Sequence, residues 1–314
     1  VLTIEIEHVN SDALLDLEKE GVVVHPNPSA LKKIQDKGLQ KLFYESLHLA
    51  TAPFFILDDT SAIREVLADK KINFPFVCKT RTMGYDGKGV QIIKTENDLK
   101  LIPNASCVIE EMLHISQEIA VIVARNAQGE SQCYDPVSMD FHAEANMLDL
   151  LQYPALLDEE MATQAKEIAL QLIEAFDICG LLAVEFIIDN QQRLWINEVA
   201  PRPHNSGHQT IESSVCSQYE QHIRAILNLP LGSTQCHTPS VMINLLGAEG
   251  FEGDVYLENV EDCLKKEGVH IHLYGKKKTK PFRKMGHATV CNKDINEAKK
   301  IAIWVKQHLQ LKSL

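Results

Sequence analysis

Several things are scarce in this sequence, and each scarcity removes a class of function. No apolar run approaches the roughly 20 residues needed to cross a bilayer. No basic, apolar leader marks export, and a cytoplasmic protein is expected. Positive charge is in deficit: 31 Lys and Arg stand against 43 Asp and Glu, a net charge of −12. That balance argues against duplex DNA or an anionic membrane surface as a main partner. The eight cysteines (Cys78, Cys107, Cys133, Cys179, Cys216, Cys236, Cys263, Cys291) include no pair at zinc-ligand spacing. They read as reduced, small apolar residues of a cytosolic protein. There is no internal repeat and no low-complexity tract.

A chain of 314 residues with 45% hydrophobic content can bury two or three cores. It begins inside a strand-like run, Leu2 to Ile6, so a natural start is expected to be missing. Short β-rich runs alternate with helical stretches, which places the fold in the α/β or α+β class. Gly21 to Val24 reads as a strand. A helix is expected from Ser29, with Leu31, Ile34, Leu39, Leu42 and Phe43 at helical spacing. Strands at Phe74 to Lys79, Val90 to Ile93, Ser106 to Glu111 and Glu118 to Ala124 suggest a small β-rich subdomain over about 75–140. Glu159 to Phe176 is an amphipathic helix with Asp158 as its cap. A last helix opens with Asp294 and Glu297 at capping-box spacing.

The most informative local feature is a pair of acids. Ala183-Val184-Glu185-Phe186 and Ile196-Asn197-Glu198-Val199 lie on two strands joined by a polar turn. If residues 190–193 form that turn, Asp189 faces Leu194 and Glu185 faces Glu198. Directly opposed residues share a face with β-carbons about 5 Å apart. Two like charges so placed call for a cation between them, and Mg²⁺ takes one or two carboxylates plus phosphate oxygens. The plain alternative is that each glutamate points to water beside a lysine or arginine. The segment that follows, Pro201-Arg202-Pro203-His204-Asn205-Ser206-Gly207-His208, reads as a loop of hydrogen-bonding groups near such a cation, with Arg202 suited to charge on a transferring phosphoryl group. A zinc pair at His204 and His208 ranks low, because two prolines and Gly207 oppose the helix it needs.

Gly84-Tyr85-Asp86-Gly87-Lys88-Gly89 sits between two strands. It is neither a Walker loop nor a dinucleotide fingerprint. Its three glycines let backbone amides approach phosphate and make a mobile lid, or simply a flexible hairpin. Lys79 on the incoming strand could reach α- and β-phosphates, and Glu110 to Leu113 has the form of an adenine-binding edge. Residues 275–284 hold six basic side chains, read as a solvated loop or, more sharply, as a local anion site. RNA binding is the third reading, short of aromatic residues beyond Phe282.

Taken together, these segments resemble the ATP-grasp superfamily, and within it the N5-carboxyaminoimidazole ribonucleotide synthases. The resemblance rests on Lys79-Thr80-Arg81 with the loop Gly84 to Gly89, on Asn197 to His208, on Ser217 to Ala225, and on Arg283-Lys284-Met285-Gly286-His287, in the family's order. It implies an ATP-grasp fold over residues 34–235 with its lid at about 75–140. A truncated βαβ domain (1–33) precedes it, and a small C-terminal domain for the substrate phosphate (236–314) follows. It implies ATP contacts from Lys37, Lys79, Gly84, Tyr85, Asp86, Gly87, Lys88, Gly89, Glu110, Glu111, Met112, Leu113, Glu118, His142, Asn197 and Glu198. Glu185 and Glu198 would hold Mg²⁺, or Mn²⁺ in its place. Tyr85, Asp86, Arg202 and Asn205 would serve catalysis, and His204, Lys276, Arg283 and Lys284 would bind the ribonucleotide.

The implied reaction joins bicarbonate to 5-aminoimidazole ribonucleotide through carboxyphosphate. A homodimer is implied, with neither nucleic acid nor membrane as partner. Three positions depart from the family pattern: half of the first domain is absent, Ala200 stands where many ATP-grasp enzymes carry Asn, and Asp140 stands where relatives tend to have Asn. The alternatives are another ATP-grasp ligase, such as a formate-dependent glycinamide ribonucleotide transformylase, and a non-catalytic nucleotide-binding relative.

Overall fold

Side-chain caps decide where the first helices begin. In the computed structural model, which describes residues 1–82, 84, 89–102, 104–141 and 148–313, Leu2–Thr3 and Val24–His25 pair in parallel with the helix Ser11–Lys19 between them. The Asn10 side chain caps that helix by accepting from the amides of Asp12 and Ala13. Ile4, Leu14, Val24 and Leu31 form the small core of this unit.

The single helix expected from Ser29 is two. Pro28–Ile34 ends, and Lys37–Ser46 starts anew after Asp36. The Asp36 carboxylate accepts from the amides of Gly38 (2.8 Å) and Leu39 (3.1 Å), and its other oxygen takes the Arg81 guanidinium at 2.6 Å. A capped N-terminus that is also ion-paired outcompetes helix continuation. Leu39 and Leu42, expected on the buried stripe, are 41% and 46% exposed as a result.

Two antiparallel sheets then build the body. The smaller runs Phe54–Leu57, Cys107–Glu111, Phe76–Thr80, Val90–Ile93. The larger has nine strands, with the path Leu194–Ala200, Gly180–Asp189, Ile115–Arg125, Val137–Phe141, Leu148–Tyr153, Ser240–Leu246, Lys284–Cys291, Val269–Leu273. The β-rich region expected over 75–140 is therefore divided. Phe54–Leu57 joins the small sheet from outside that range, while Ile115–Arg125 pairs along its length with Gly180–Asp189 in the large one. The reason lies in its burial: Ile119 to Ala124 are all buried, as a strand covered on both faces requires. Helix Glu159–Ala175, capped by Asp158, lays Met161, Ala165, Ala169, Leu172 and Ile173 against one of those faces.

The C-terminal strands extend the same sheet, with Ser240–Leu246 pairing directly with Leu148–Tyr153. Helix Ile295–His308 packs Ala298, Ala302 and Val305 on them. Asp294 caps it, but Glu297 turns to Lys300 (3.2 Å) instead of closing a capping box.

Replacing Asp36 removes a cap and an ion-pair partner together. Asp36→Ala should lower unfolding free energy by roughly 1–3 kcal/mol, read from a urea melt; an unchanged midpoint would show that the second helix starts without it.

Candidate active site

The hairpin of Gly180–Asp189 and Leu194–Ala200 reaches the expected pairing by an unexpected route. Ile188, not Asp189, faces Leu194, because the Asp189 carboxylate folds over the turn and accepts from the amides of Gln191 and Arg193 and from the Trp195 indole. That offset alone would set Glu185 against Asn197. A register shift between Glu185 and Phe186 inserts Asn197 as an extra residue and brings Glu185 opposite Glu198. The bulge also sends Asn197 into the same space, where its Oδ1 accepts from Lys79 Nζ at 3.0 Å. Glu118 lies on the neighbouring strand two residues from Ala120, which pairs with Glu185, so three carboxylates share one face.

The charges are balanced by lysines from other elements. Lys37, first residue of its helix because Asp36 caps it, donates to Glu198 Oε2 at 2.5 Å. Burial alone would lower Lys37, but the carboxylates of Glu198, Glu110 and Glu185, with Glu198 foremost, together outweigh it and hold the lysine above its usual value. Lys37 in turn holds the Glu198 carboxyl below the usual range. Burial and the facing Glu198 push Glu185 up, and burial lifts Glu118 to about 7. Two opposed acids, one kept from ionising by burial and by the charge of the other, are a donor set that a divalent cation relieves. The residues fit such an ion.

Lys79 Nζ lies 3.0 Å from Glu110 Oε2. Glu110, expected at an adenine edge, is 4% exposed and its carboxylate is taken by Lys79 and Lys41. Glu111 and Met112 are exposed and Leu113 half-buried, where the chain leaves the small sheet for the large one.

The loop after the hairpin is pinned from below. Gln218, fully buried, accepts from the His204 amide and donates to its carbonyl, both at 2.8 Å. A Cβ at Gly207 would meet Ile122 Cδ1 at 2.3 Å and Gln218 Oε1 at 2.5 Å, so only glycine fits there. His204 Nδ1 meets Ser206 Oγ at 2.8 Å and its Nε2 lies 3.6 Å from Glu185. Burial lowers His204 to about 3, so it is neutral at physiological pH. Asn205 opens the short turn Asn205–Gly207. Arg202 pairs with Glu7 at 2.7 Å and donates to the Pro203 carbonyl.

The basic residues come to this loop through stacked rings. His208 stacks on His287 at 4.6 Å, and His287 on His272 at 4.6 Å. His287 follows Lys284 on its strand, which brings the start of that strand beside the loop. Lys276 Nζ donates to the Lys284 carbonyl at 2.6 Å, and Arg283 donates to the Lys278 carbonyl at 2.8 Å. His208 Nδ1 is engaged by the Tyr219 hydroxyl at 2.7 Å. Among the described residues no group of three or more His, Cys, Asp or Glu is arranged to hold a metal, so the paired acids would need phosphate oxygens to complete the shell of an ion.

The structure thus brings together Lys37, Lys79, Asn197, Glu118, Glu185, Glu198 and His204. Gly84 and Gly89 flank the loop. A Cβ at Gly89 (φ +80°) would strike Thr80 Oγ1 at 2.4 Å. Tyr85, Asp86, Gly87, Lys88 and His142 lie outside the described residues. Three contributors escaped the sequence reading: Glu7, Lys41 and the pinning role of Gln218. Lys41 had a signal, four residues after Lys37 on one helix face. Glu7 had none, since its meeting with Arg202 is purely tertiary.

Residues 42–219 match the family model of the ATP-grasp domain, and residues 240–301 match that of the phosphoribosylaminoimidazole carboxylase C-terminal domain. The chain is similar to the phosphoribosylaminoimidazole carboxylase of Schizosaccharomyces pombe, 34% identical over 310 residues that cover 96% of this chain and 55% of the relative. It spans about half the length of the fungal relatives of that name. Among solved structures, the N5-carboxyaminoimidazole ribonucleotide synthetase of Thermotoga maritima superposes with a TM-score of 0.90 at 41% identity, covering 100% of this chain and 82% of that one. The Aspergillus clavatus N5-carboxyaminoimidazole synthase, solved with ADP and 5-aminoimidazole ribonucleotide, does so at 0.88 and 29% identity, covering 98% and 81%. With the paired glutamates, the lysines and the ring-linked basic strand all in place, the chain belongs to the ATP-grasp family, in its N5-carboxyaminoimidazole ribonucleotide synthase branch.

Proposed function

We propose that this chain carries out the ATP-dependent carboxylation of 5-aminoimidazole ribonucleotide, yielding N5-carboxyaminoimidazole ribonucleotide, ADP and phosphate in purine synthesis. The observation that carries the proposal is the Glu185–Glu198 pair, opposed in register with Lys37 on one acid and Lys79 beside Asn197. Its organisation is proposed as the βαβ remnant 1–33, the ATP-grasp part 34–235 and the C-terminal part 236–314.

In this reading, Lys79 and Lys37 receive the phosphates of ATP. Glu185 and Glu198 hold Mg²⁺, which when bound neutralises phosphate charge and orients the γ-phosphoryl group. An oxygen of bicarbonate attacks the γ-phosphorus and the bond to the ADP oxygen breaks, giving carboxyphosphate. Arg202, its guanidinium partly buried and held by Glu7, would stabilise the charge that develops on the transferring group. The bond from the carboxyl carbon of carboxyphosphate to its bridging oxygen breaks to give carbon dioxide and phosphate; the exocyclic amine of the ribonucleotide bonds to that carbon and its proton passes to the departing phosphate. Asn205 is assigned to the bicarbonate and amine side, and the family resemblance assigns Tyr85 and Asp86 the same role. Lys276, Arg283 and Lys284 take the substrate phosphate and His204 the ribonucleotide. Water must be kept out, since it would destroy carboxyphosphate.

A homodimer is the proposed assembly, supported by the apolar side chains Val215, Ile223, Leu227 and Leu229, which are 47–58% exposed around one short helix. The cytoplasm is the proposed site, supported by eight free cysteines.

Phosphate release by the purified chain should require ATP, bicarbonate and 5-aminoimidazole ribonucleotide together. Stimulation by formate with glycinamide ribonucleotide instead would move the chain to the transformylase reading, and no turnover by folded protein would favour a non-catalytic relative. Glu185→Gln and Glu198→Gln should each cut kcat roughly 100-fold or more while leaving the melting temperature within a few degrees; full activity in either variant would remove the proposed metal site. Sedimentation at micromolar concentration should give a dimer, and a monomer would refute that assembly.

A further inference from the structure

Lys41 is 2% exposed, on a helix whose neighbour Lys37 already meets Glu198. Its Nζ donates to Thr51 Oγ1 at 2.6 Å and lies 3.2 Å from Glu110 Oε1. Thr51 donates onward to the Ile196 carbonyl at 2.8 Å, on the strand that carries Asn197 and Glu198. The opposite oxygen of Glu110 lies 3.0 Å from Lys79. One buried carboxylate is therefore shared between the buried ammonium of Lys41 and the partly buried one of Lys79, and Lys79 continues into the site by way of Asn197.

A lone Lys79–Glu110 pair would be neutral, and a phosphate approaching it would meet a cation already compensated. Adding Lys41 leaves the triad with a net charge of +1, and places the surplus at Lys79, the member that borders the site. We propose that Lys41 is a positioning residue for the nucleotide: by occupying Glu110 from behind, it frees the Lys79 charge for the phosphates of ATP. The inference rests on the nucleotide role proposed for Lys79. Two further observations support it. Burial pulls Lys41 down to about 8, so its cationic form is held at a cost that the Glu110 carboxylate offsets in part. That carboxyl stays below its usual range despite burial, because Lys79 and Lys41 both face it. A lysine kept merely for packing would carry no such coupling, since methionine fills similar space without desolvating a charge.

The test is a double-mutant cycle on the full chain, read by calorimetric binding of ATP and by KM for each substrate. Lys41→Met should weaken ATP binding roughly tenfold or more, the scale of coupling within one ion-pair network, with KM for the ribonucleotide unchanged. Combining it with Glu110→Gln should return ATP affinity to within about threefold of wild type, since no carboxylate is left to neutralise Lys79. Glu110→Gln alone should bind ATP at least as tightly as wild type, a readout that stands even if Lys41→Met fails to fold. Losses that add in the double variant, or a weakened Glu110→Gln, overturn the inference while wild-type binding keeps the nucleotide reading. A wild-type chain that binds no adenine nucleotide overturns both.

Discussion

Two carboxylates facing each other across a hairpin set the terms for everything around them. Left alone, Glu185 and Glu198 would repel, and one would surrender its charge by keeping a proton. Each neighbouring element answers that constraint. The extra residue at Asn197 creates the pairing and simultaneously supplies an acceptor for Lys79. Lys37 compensates Glu198 from a separate helix. His204 lies near Glu185 without adding charge, since burial keeps it neutral. A cation shared by the two acids, as proposed above, would relieve the repulsion that these neighbours leave.

Delivering the lysines depends on a break in a helix that sequence periodicity would have run through. Because Asp36 both caps the second helix and binds Arg81, Lys37 emerges at a first turn, aimed at the hairpin. Had the helix continued from Ser29, Lys37 would sit mid-helix on whatever face periodicity assigned it. The same start places Lys41 one turn further, beneath Glu110. One capping aspartate thus sets the direction of two cations, and a short local signal governs a tertiary arrangement.

Much of this was legible from residues alone, though not always for the reason first given. The opposition of Glu185 and Glu198 followed from a turn length that is off by one and is corrected by a bulge, which no alternation pattern reveals. The amphipathic helix Glu159–Ala175 and its Asp158 cap were readable because both signals are local. The division of the β-rich region between two sheets was not, because strand partners are chosen by long-range burial of Ile119 to Ala124 rather than by local propensity. Glu7 could not be found at all, since only the folded chain brings it to Arg202. The basic run near Lys284 could be noticed, but its attachment to the His208 loop depends on three stacked rings from three segments.

The unbroken nine-stranded sheet has a mechanical corollary. The acids that sit at one margin and the basic strand Lys284–Cys291 near the other are stations on one hydrogen-bonded platform, so the spacing between the paired acids and that strand is built in. The four-stranded sheet bearing Lys79 is joined to that platform through the short stretch 112–114. Its Lys79 meets Asn197 of the platform through a side-chain hydrogen bond, so the position of that lysine depends on how the two sheets meet, whereas the acids and the basic strand are held by one ladder.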